Sequence, residues 1–338
     1  MTLVLTGVGA LLAYLLTGAM RRYALAAQII DIPNARSSHS RPTPRGGGVA
    51  IVVAFTALAA WQLRSGTPAP GLVAILAAAL LVAAVGYLDD RAALAARWRA
   101  LAHAVASVGV VIGIGGTAPL PVFGHTVDLG WAGPVLAVVY LVWTINLYNF
   151  MDGIDGIASI EAITVALGGG LCWWLAAASP LATLPVLFAG CVAGFLVWNY
   201  PPAKIFMGDA GSGFIGMAFG AFSLWSATLQ PLLFWCWFIL LGCFVVDATT
   251  TLLRRVARGE KFYEAHRSHA YQYASRRHDS HRAVSLAVGA INLAWLLPIA
   301  LLVATARLDG LLGALLAYVP LWLLALRYKA GDAAAQEV

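Results

Sequence analysis

Four polar stretches with reactive side chains interrupt a chain that is otherwise apolar. They are Asp89-Asp90 followed by Arg91, the run Asn149-Phe150-Met151-Asp152-Gly153-Ile154-Asp155-Gly156, the run Phe206-Met207-Gly208-Asp209-Ala210-Gly211-Ser212, and a basic stretch holding His266, Arg267 and His269. Carboxylates set among glycines, with arginine and histidine nearby, suit the joint handling of a divalent cation and phosphate oxygens. Asp152 and Asp155 are three residues apart and share a face if their segment is helical. Gly153 and Gly156 leave room for a ligand or another backbone. Neighbouring Asp89 and Asp90 point about 100° apart on a helix, which predicts separate roles, one on a metal or lipid phosphate and one holding a loop. Pro201-Pro202 ends the helix before the third stretch. After it, Lys204 offers a point charge for phosphate, Phe206 a face for a base, and Asp209 a compact anionic ligand. Upstream, Arg36, His39, Arg41 and Arg45 precede Gly46-Gly47-Gly48 and add groups suited to phosphate.

Each stretch alone has a plainer explanation. Asp155 and Asp209 could simply cap the helices that follow them, and Asp89-Asp90 could be a solvated helix end, although acids there oppose the helix dipole. Caps explain single aspartates but not the cluster. His278 and His281 read as solvated, and His103 and His125 as structural or solvated. Asp247, inside an apolar stretch seven residues before Arg254, reads as a structural polar contact. Cys172, Cys191, Cys236 and Cys243 lie in apolar segments without metal-ligand spacing and read as packing groups.

The elements that must position these groups are membrane helices. Of 338 residues, 61% are hydrophobic and 11% charged, against about 25% charged in a soluble domain. No strand-length alternation suggests a barrel. Apolar runs predict an all-α, polytopic bundle of about eleven transmembrane helices near 2–20, 47–63, 71–88, 99–116, 131–148, 157–177, 181–198, 212–228, 231–252, 284–306 and 310–327. The first is read as a retained span, because it lacks a basic segment before its apolar run. Residues 1–330 form one domain and 331–338 a tail. The connections 21–46, 89–98, 149–156, 199–211 and 253–283, the last with a short amphipathic helix, fall on one side together with the tail. That side, counted with Arg99 and Arg327 at the ends of their spans and Lys329 just beyond, carries 19 of the 21 Lys and Arg. Positive residues stay cytoplasmic, so the N-terminus is expected outside and the C-terminus inside. The net charge of +6 suits lipid headgroups and anionic substrates and needs no nucleic acid.

In the order of its motifs and in topology, nearly the whole chain resembles the polyprenyl-phosphate N-acetylhexosamine-1-phosphate transferases, the superfamily of MraY, WecA and TagO. Eleven spans are closer to WecA than to the ten of MraY. The stretches from Asp31 to Gly48 and from His266 to Gln272 are similar to the WbpL-type branch, which initiates O-antigen chains of lipopolysaccharide. MraY has consecutive histidines where this chain has His266 and His269, a departure that speaks against a muramyl-peptide donor.

The resemblance implies transfer of an N-acetylhexosamine-1-phosphate, of GlcNAc, FucNAc or QuiNAc type, from a UDP-sugar to undecaprenyl phosphate. The products would be an undecaprenyl-diphosphate sugar and UMP, formed at the cytoplasmic face of a bacterial inner membrane. It implies magnesium as cofactor, with manganese as the alternative, and leaves a homodimer open. Asp209 would be the principal metal ligand, with Asn149 and Asp152 lining the metal-phosphate centre. Asp89, Asp90 and Asp152 would be the catalytic carboxylates. Asp155, Asn199, Lys204 and Phe206 would bind the nucleotide, and Arg41, Arg45, His266, Arg267 and His269 phosphates or the sugar. Two rivals are a transporter or flippase, since intramembrane acids also mark ion paths, and an intramembrane prenyltransferase with two acidic motifs. Acids at span ends rather than mid-span argue against the transporter.

Overall fold

In a bilayer every backbone polar group must be satisfied within the protein, so long apolar runs become helices. The computed structural model describes residues 1–33, 38, 41–64, 69–92, 94–260 and 266–332. Its helices are α1 Thr2–Ala26, α2 Val49–Arg64, α3 Pro70–Ala92, α4 Ala96–Gly113, α5 Ala132–Met151, α6 Ile157–Ala177, α7 Thr183–Asn199, α8 Asp209–Leu229, α9 Leu232–Leu240, α10 Gly242–Ala257, α11 Ala270–Arg277, α12 His281–Ile291, α13 Leu297–Ala304 and α14 Gly310–Arg327. A π-helical segment, Asn292–Leu296, joins α12 to α13. Two short antiparallel pairs complete the fold: β1 Ile30–Asp31 with β2 Thr43–Pro44, and β3 Leu120–Val122 with β4 His125–Val127.

All eleven expected spans coincide with helix, yet not all are equally suited to crossing a membrane. Among the described residues eight segments are long and apolar enough: α1, α3, α5, α6, α7 with its leading turn, α8, α12–α13 and α14. The expected span 231–252 is two helices, α9 and α10, bent by 72°. Gly242 opens α10, and a Cβ there would lie 2.9 Å from Tyr318 of α14, so α14 presses into the bend. The Tyr318 hydroxyl donates to the Phe238 carbonyl, the group that a continuous helix would offer to residue 242. The remaining two are α2, with only 16 residues, and α4, which carries Arg97, Arg99 and His103 in its first half.

The core is organised around α8, which is buried along nearly its whole length between α3 and α5. Small residues allow this proximity, as in many membrane helix pairs. A Cβ on Gly216 would fall 2.4 Å from the Thr144 carbonyl of α5, and one on Gly86 of α3 would fall 2.5 Å from the Asp209 carbonyl. The deepest helix therefore delivers its N-terminal residue, Asp209, to the end of the bundle where α3 and α5 also finish.

Candidate active site

Two loops that are distant in sequence are tied together by backbone bonds. Phe206 N–H donates to the Pro44 carbonyl at 2.8 Å, while Gly47 and Gly48 N–H donate to the Phe206 and Met207 carbonyls, each at 2.9 Å. The glycine run 46–48 is needed here, because a Cβ on Gly48 would sit 2.4 Å from the Gly211 Cα. This clip places Arg45 beside the start of α8. Gly208 precedes α8 with φ +78° and offers no side-chain cap. Asp90 supplies one from α3: its carboxylate accepts from Asp209 N–H at 3.1 Å and Ala210 N–H at 3.4 Å. A carboxylate at a helix N-terminus is favoured by the dipole and satisfies orphan donors.

Arg45 bridges two of the aspartates. Its Nε lies 2.9 Å from Asp90 Oδ1 and its Nη2 3.0 Å from Asp209 Oδ1. Burial opposes its charge, but Asp90, Asp209 and Asp31 more than offset this and hold its pKa above the usual value. Arg99 Nη1 lies 2.5 Å from Asp89 Oδ2 and 3.9 Å from Asp209 Oδ2, and Leu94 N–H donates to Asp89 at 2.6 Å. The two adjacent aspartates do divide their work: Asp89 holds the α3–α4 turn, and Asp90 faces the centre. Asp152 follows the end of α5, where burial and then the charge of Asp209 push its pKa well above the carboxylate range. Asn149 donates to Ser212 Oγ at 3.3 Å and lies within hydrogen-bonding reach of Asp209.

Arg45, Asn149, Asp152, Asp155, Asn199, Phe206, Asp209 and Gln272 line one cavity of about 270 Å³. A second of about 500 Å³ shares Ser38, Asp155 and Phe206 with it and adds Arg41, Arg276 and His281. Three of the four motifs, Asp89-Asp90, Asn149 to Gly156 and Phe206 to Ser212, therefore meet at one end of the bundle, whereas His266, Arg267 and His269 line neither cavity.

Other expected site residues have different placements. Asn199 is buried and joins two loops: its Oδ1 accepts from Gly156 N–H at 3.0 Å, and its Nδ2 donates to the Ile205 carbonyl at 3.1 Å. Asp155 accepts from Ala203 N–H at 3.0 Å and faces His281 Nδ1 at 3.4 Å. His281, expected to be solvated, is instead half-buried and also donates through Nε2 to the Ser38 carbonyl at 3.0 Å. Lys204 lies 5.7 Å from the Trp198 ring and does not line the 270 Å³ cavity. His269 is buried at the start of α11, with its ring stacked on His266 at 4.9 Å, and neither lines that cavity. Burial, then His269 and Arg255, push His266 down to about 3, leaving it neutral at physiological pH. Arg267 is half-buried, and its carbonyl accepts from Arg276 at 3.3 Å. Arg36 and His39 lie outside the described residues. Gln272, Ser212 and Asp31 lie within the motif stretches but carry no site role in the sequence reading, and Arg99 appears there only as part of a basic run. No local spacing marks them, because helix packing brings them in.

Residues 72–227, which contain Asp89 through Asp209, match the family model described as glycosyl transferase family 4. Over 297 residues the chain is 30% identical to the probable undecaprenyl-phosphate N-acetylglucosaminyl 1-phosphate transferase of Bacillus subtilis (strain 168), covering 83% of this chain and 79% of that one. The chain belongs to the polyprenyl-phosphate hexosamine-1-phosphate transferase superfamily. A decaprenyl-phosphate N-acetylglucosaminephosphotransferase of Mycobacterium tuberculosis (strain ATCC 25618 / H37Rv) is 30% identical over 321 residues, 82% of this chain and 77% of that one. A phospho-N-acetylmuramoyl-pentapeptide-transferase of Moorella thermoacetica is 32% identical over 254 residues, 71% and 77% of the two chains.

This member of the superfamily is thus a multi-pass membrane phosphotransferase. Its site depends on the close approach of α3 to α8. Gly86→Val should therefore displace Asp209, since even a Cβ at Gly86 meets the Asp209 backbone at 2.5 Å. The expected result is a lower melting temperature in detergent, from overpacking of about 1–3 kcal/mol. Turnover should fall by on the order of 10²-fold, the scale for a misplacement of about 1 Å. Unchanged turnover would show that α8 can shift without disturbing the centre.

Proposed function

We propose that the enzyme transfers an N-acetylhexosamine-1-phosphate from a UDP-sugar to undecaprenyl phosphate, with magnesium or manganese bound, at the cytoplasmic face. One observation carries this reading: Arg45, Asp152 and Asp209, from three separate loops or helix ends, line a single cavity, and Asp90 at the end of α3 is ion-paired to Arg45 beside it. The chemical problem there is the approach of two polyanions. An oxygen of the lipid phosphate attacks the β-phosphorus of the nucleotide sugar; the bond to the bridging oxygen breaks, and UMP leaves with that oxygen.

The donor set suits a hard cation. Among the described residues no three His, Cys, Asp or Glu side chains group closely enough to hold a metal alone. Magnesium commonly takes one or two carboxylates and completes its shell with substrate phosphates and water. Asp209 and Asp152 would hold it, with the Asn149 amide beside them. The bound ion would supply positive charge to the phosphate oxygens as the transition state forms. Asp90 keeps the start of α8 in place, and Arg45 offers N–H donors to the transferring phosphate. Phe206 gives the base a ring face at the boundary with the larger chamber, where Arg41 and His281 lie. The lipid phosphate is largely ionised near neutral pH, so little general-base work is asked of Asp89 or Asp90.

The charge asymmetry of the loops supports the cytoplasmic orientation. The WbpL-like stretches support an O-antigen role, while the relatives named for N-acetylglucosamine support that donor. The test is purified enzyme in detergent with undecaprenyl phosphate, Mg²⁺ and a panel of UDP-GlcNAc, UDP-FucNAc and UDP-QuiNAc. The expected result is UMP release with at least one donor, loss of release on adding EDTA, and recovery with Mg²⁺ or Mn²⁺. The mass of the lipid product then identifies the sugar. No UMP from any of these donors would overturn the reading.

A further inference from the structure

We propose that Asp247 is a positioning residue for the transfer reaction, acting through α11 and Tyr271 on the segment that carries Asp152. The inference rests on the transfer reading above and assigns a role to a carboxylate outside its cavity.

Asp247 lies in α10, beyond the bend, and is only 7% exposed. A buried carboxylate is costly unless its oxygens are well supplied with donors, and these are. Oδ1 accepts from Ala270 N–H at 3.0 Å and from Thr251 Oγ1 at 3.1 Å, and it faces His269 Nδ1 at 3.2 Å. Oδ2 accepts from Tyr271 N–H at 3.0 Å. Two of these donors are N–H groups in the first turn of α11, which would otherwise be orphaned. The charge also sits at the favourable end of that helix. The His269 side chain also accepts from the Gln272 N–H in a capping box, so its ring is held between Asp247 and the first turn of α11. Asp247 therefore sets both the start and the rotation of α11.

What α11 carries reaches the site. Tyr271 Oη donates to the Phe150 carbonyl at 2.9 Å. Phe150 is in the last turn of α5, where carbonyls lack helical partners, so Tyr271 caps α5 at the point where the chain turns toward Asp152. A Cβ on Gly153 would lie 2.2 Å from that hydroxyl and 3.2 Å from Gln272 Nε2. Tyr271 and Gln272 thus pack directly on the residue after Asp152, and Gln272 also lines the 270 Å³ cavity. An asparagine at 247 would present an NH₂ group to one of two backbone donors and could not hold both.

The experiment compares Asp247→Asn, Tyr271→Phe and the double variant with the wild-type enzyme. The readouts are steady-state UMP release and backbone hydrogen exchange in detergent. Asp247→Asn should lower kcat by ~10–100-fold, the scale for groups that orient a ligand set. KM for both substrates should stay within about threefold, the pattern of an interaction that matters in the transition state. Tyr271→Phe, a mild change that keeps the ring, should lower kcat in the same direction. The double variant should be no worse than Asp247→Asn, because the two act in series. Exchange across 150–156 should quicken in all three variants. Unchanged kcat in Asp247→Asn, losses that multiply in the double variant, or unaltered exchange at 150–156 would each overturn the proposal. If the wild type releases no UMP, the functional reading falls, while the exchange measurement still decides whether Asp247 places that segment.

Discussion

Asp209→Asn should abolish UMP release, with a loss on the order of 10³-fold or more, while the protein stays folded. Asparagine keeps the shape of the side chain, and the contact that anchors α8 is made by the Asp209 backbone N–H to Asp90, which survives the change. What disappears is one full negative charge and one of two equivalent oxygens, at the residue best placed to hold a hard cation. The melting temperature should be unchanged or slightly higher. The substitution loses the ion pair with Arg45 at 3.0 Å, but it also removes one charge from a crowded centre, where burial and then the charge of Asp209 raise the Asp152 pKa. Thermal melts and single-turnover assays on the same preparation separate the two effects. Turnover near the wild-type rate would remove Asp209 from the metal role.

Arg45→Lys should cost about 10²-fold in kcat, although it preserves the charge. Arg45 uses two different N–H groups to reach Asp90 and Asp209 at once. A lysine ammonium is a point charge on a flexible stem and cannot reproduce a planar fork. Misplacing a group by about 1 Å at such a centre is worth on the order of 10²-fold. Arg45→Ala should lose more, because nothing then offsets the crowded carboxylates before substrate binds. Kinetics with each substrate varied in turn provide the check. If Arg45→Lys retains near wild-type kcat, the residue contributes charge alone and its bridging geometry is incidental.

Some of the site was legible because its residue types are improbable in an apolar chain. Asp89, Asp90, Asn149, Asp152 and Asp209 were identified from their chemistry, and the geometry brings all five to one end of the bundle. Asn199 and Asp155 line the cavity as well and also hold backbone groups of neighbouring loops, while His281, which reads as solvated in the sequence, is a partner of Asp155. By residue type Asp247 reads as a structural polar contact, and its bonds agree with that; its path to Asp152 through Tyr271 depends on where α11 packs.

The amino-acid sequence by itself determined that the chain is a helical membrane bundle, where its apolar runs lie, and which carboxylates are candidates for chemistry. Hydropathy and residue type are local properties, and a window of about 20 residues is enough to read them. Tertiary structure alone decided that α9 and α10 bend by 72°, that Gly48 must touch Gly211, and that Arg45 spans two aspartates more than a hundred residues apart. Those outcomes depend on which helix faces meet. Residues distant in the chain become neighbours only through packing, so no local window contains the information.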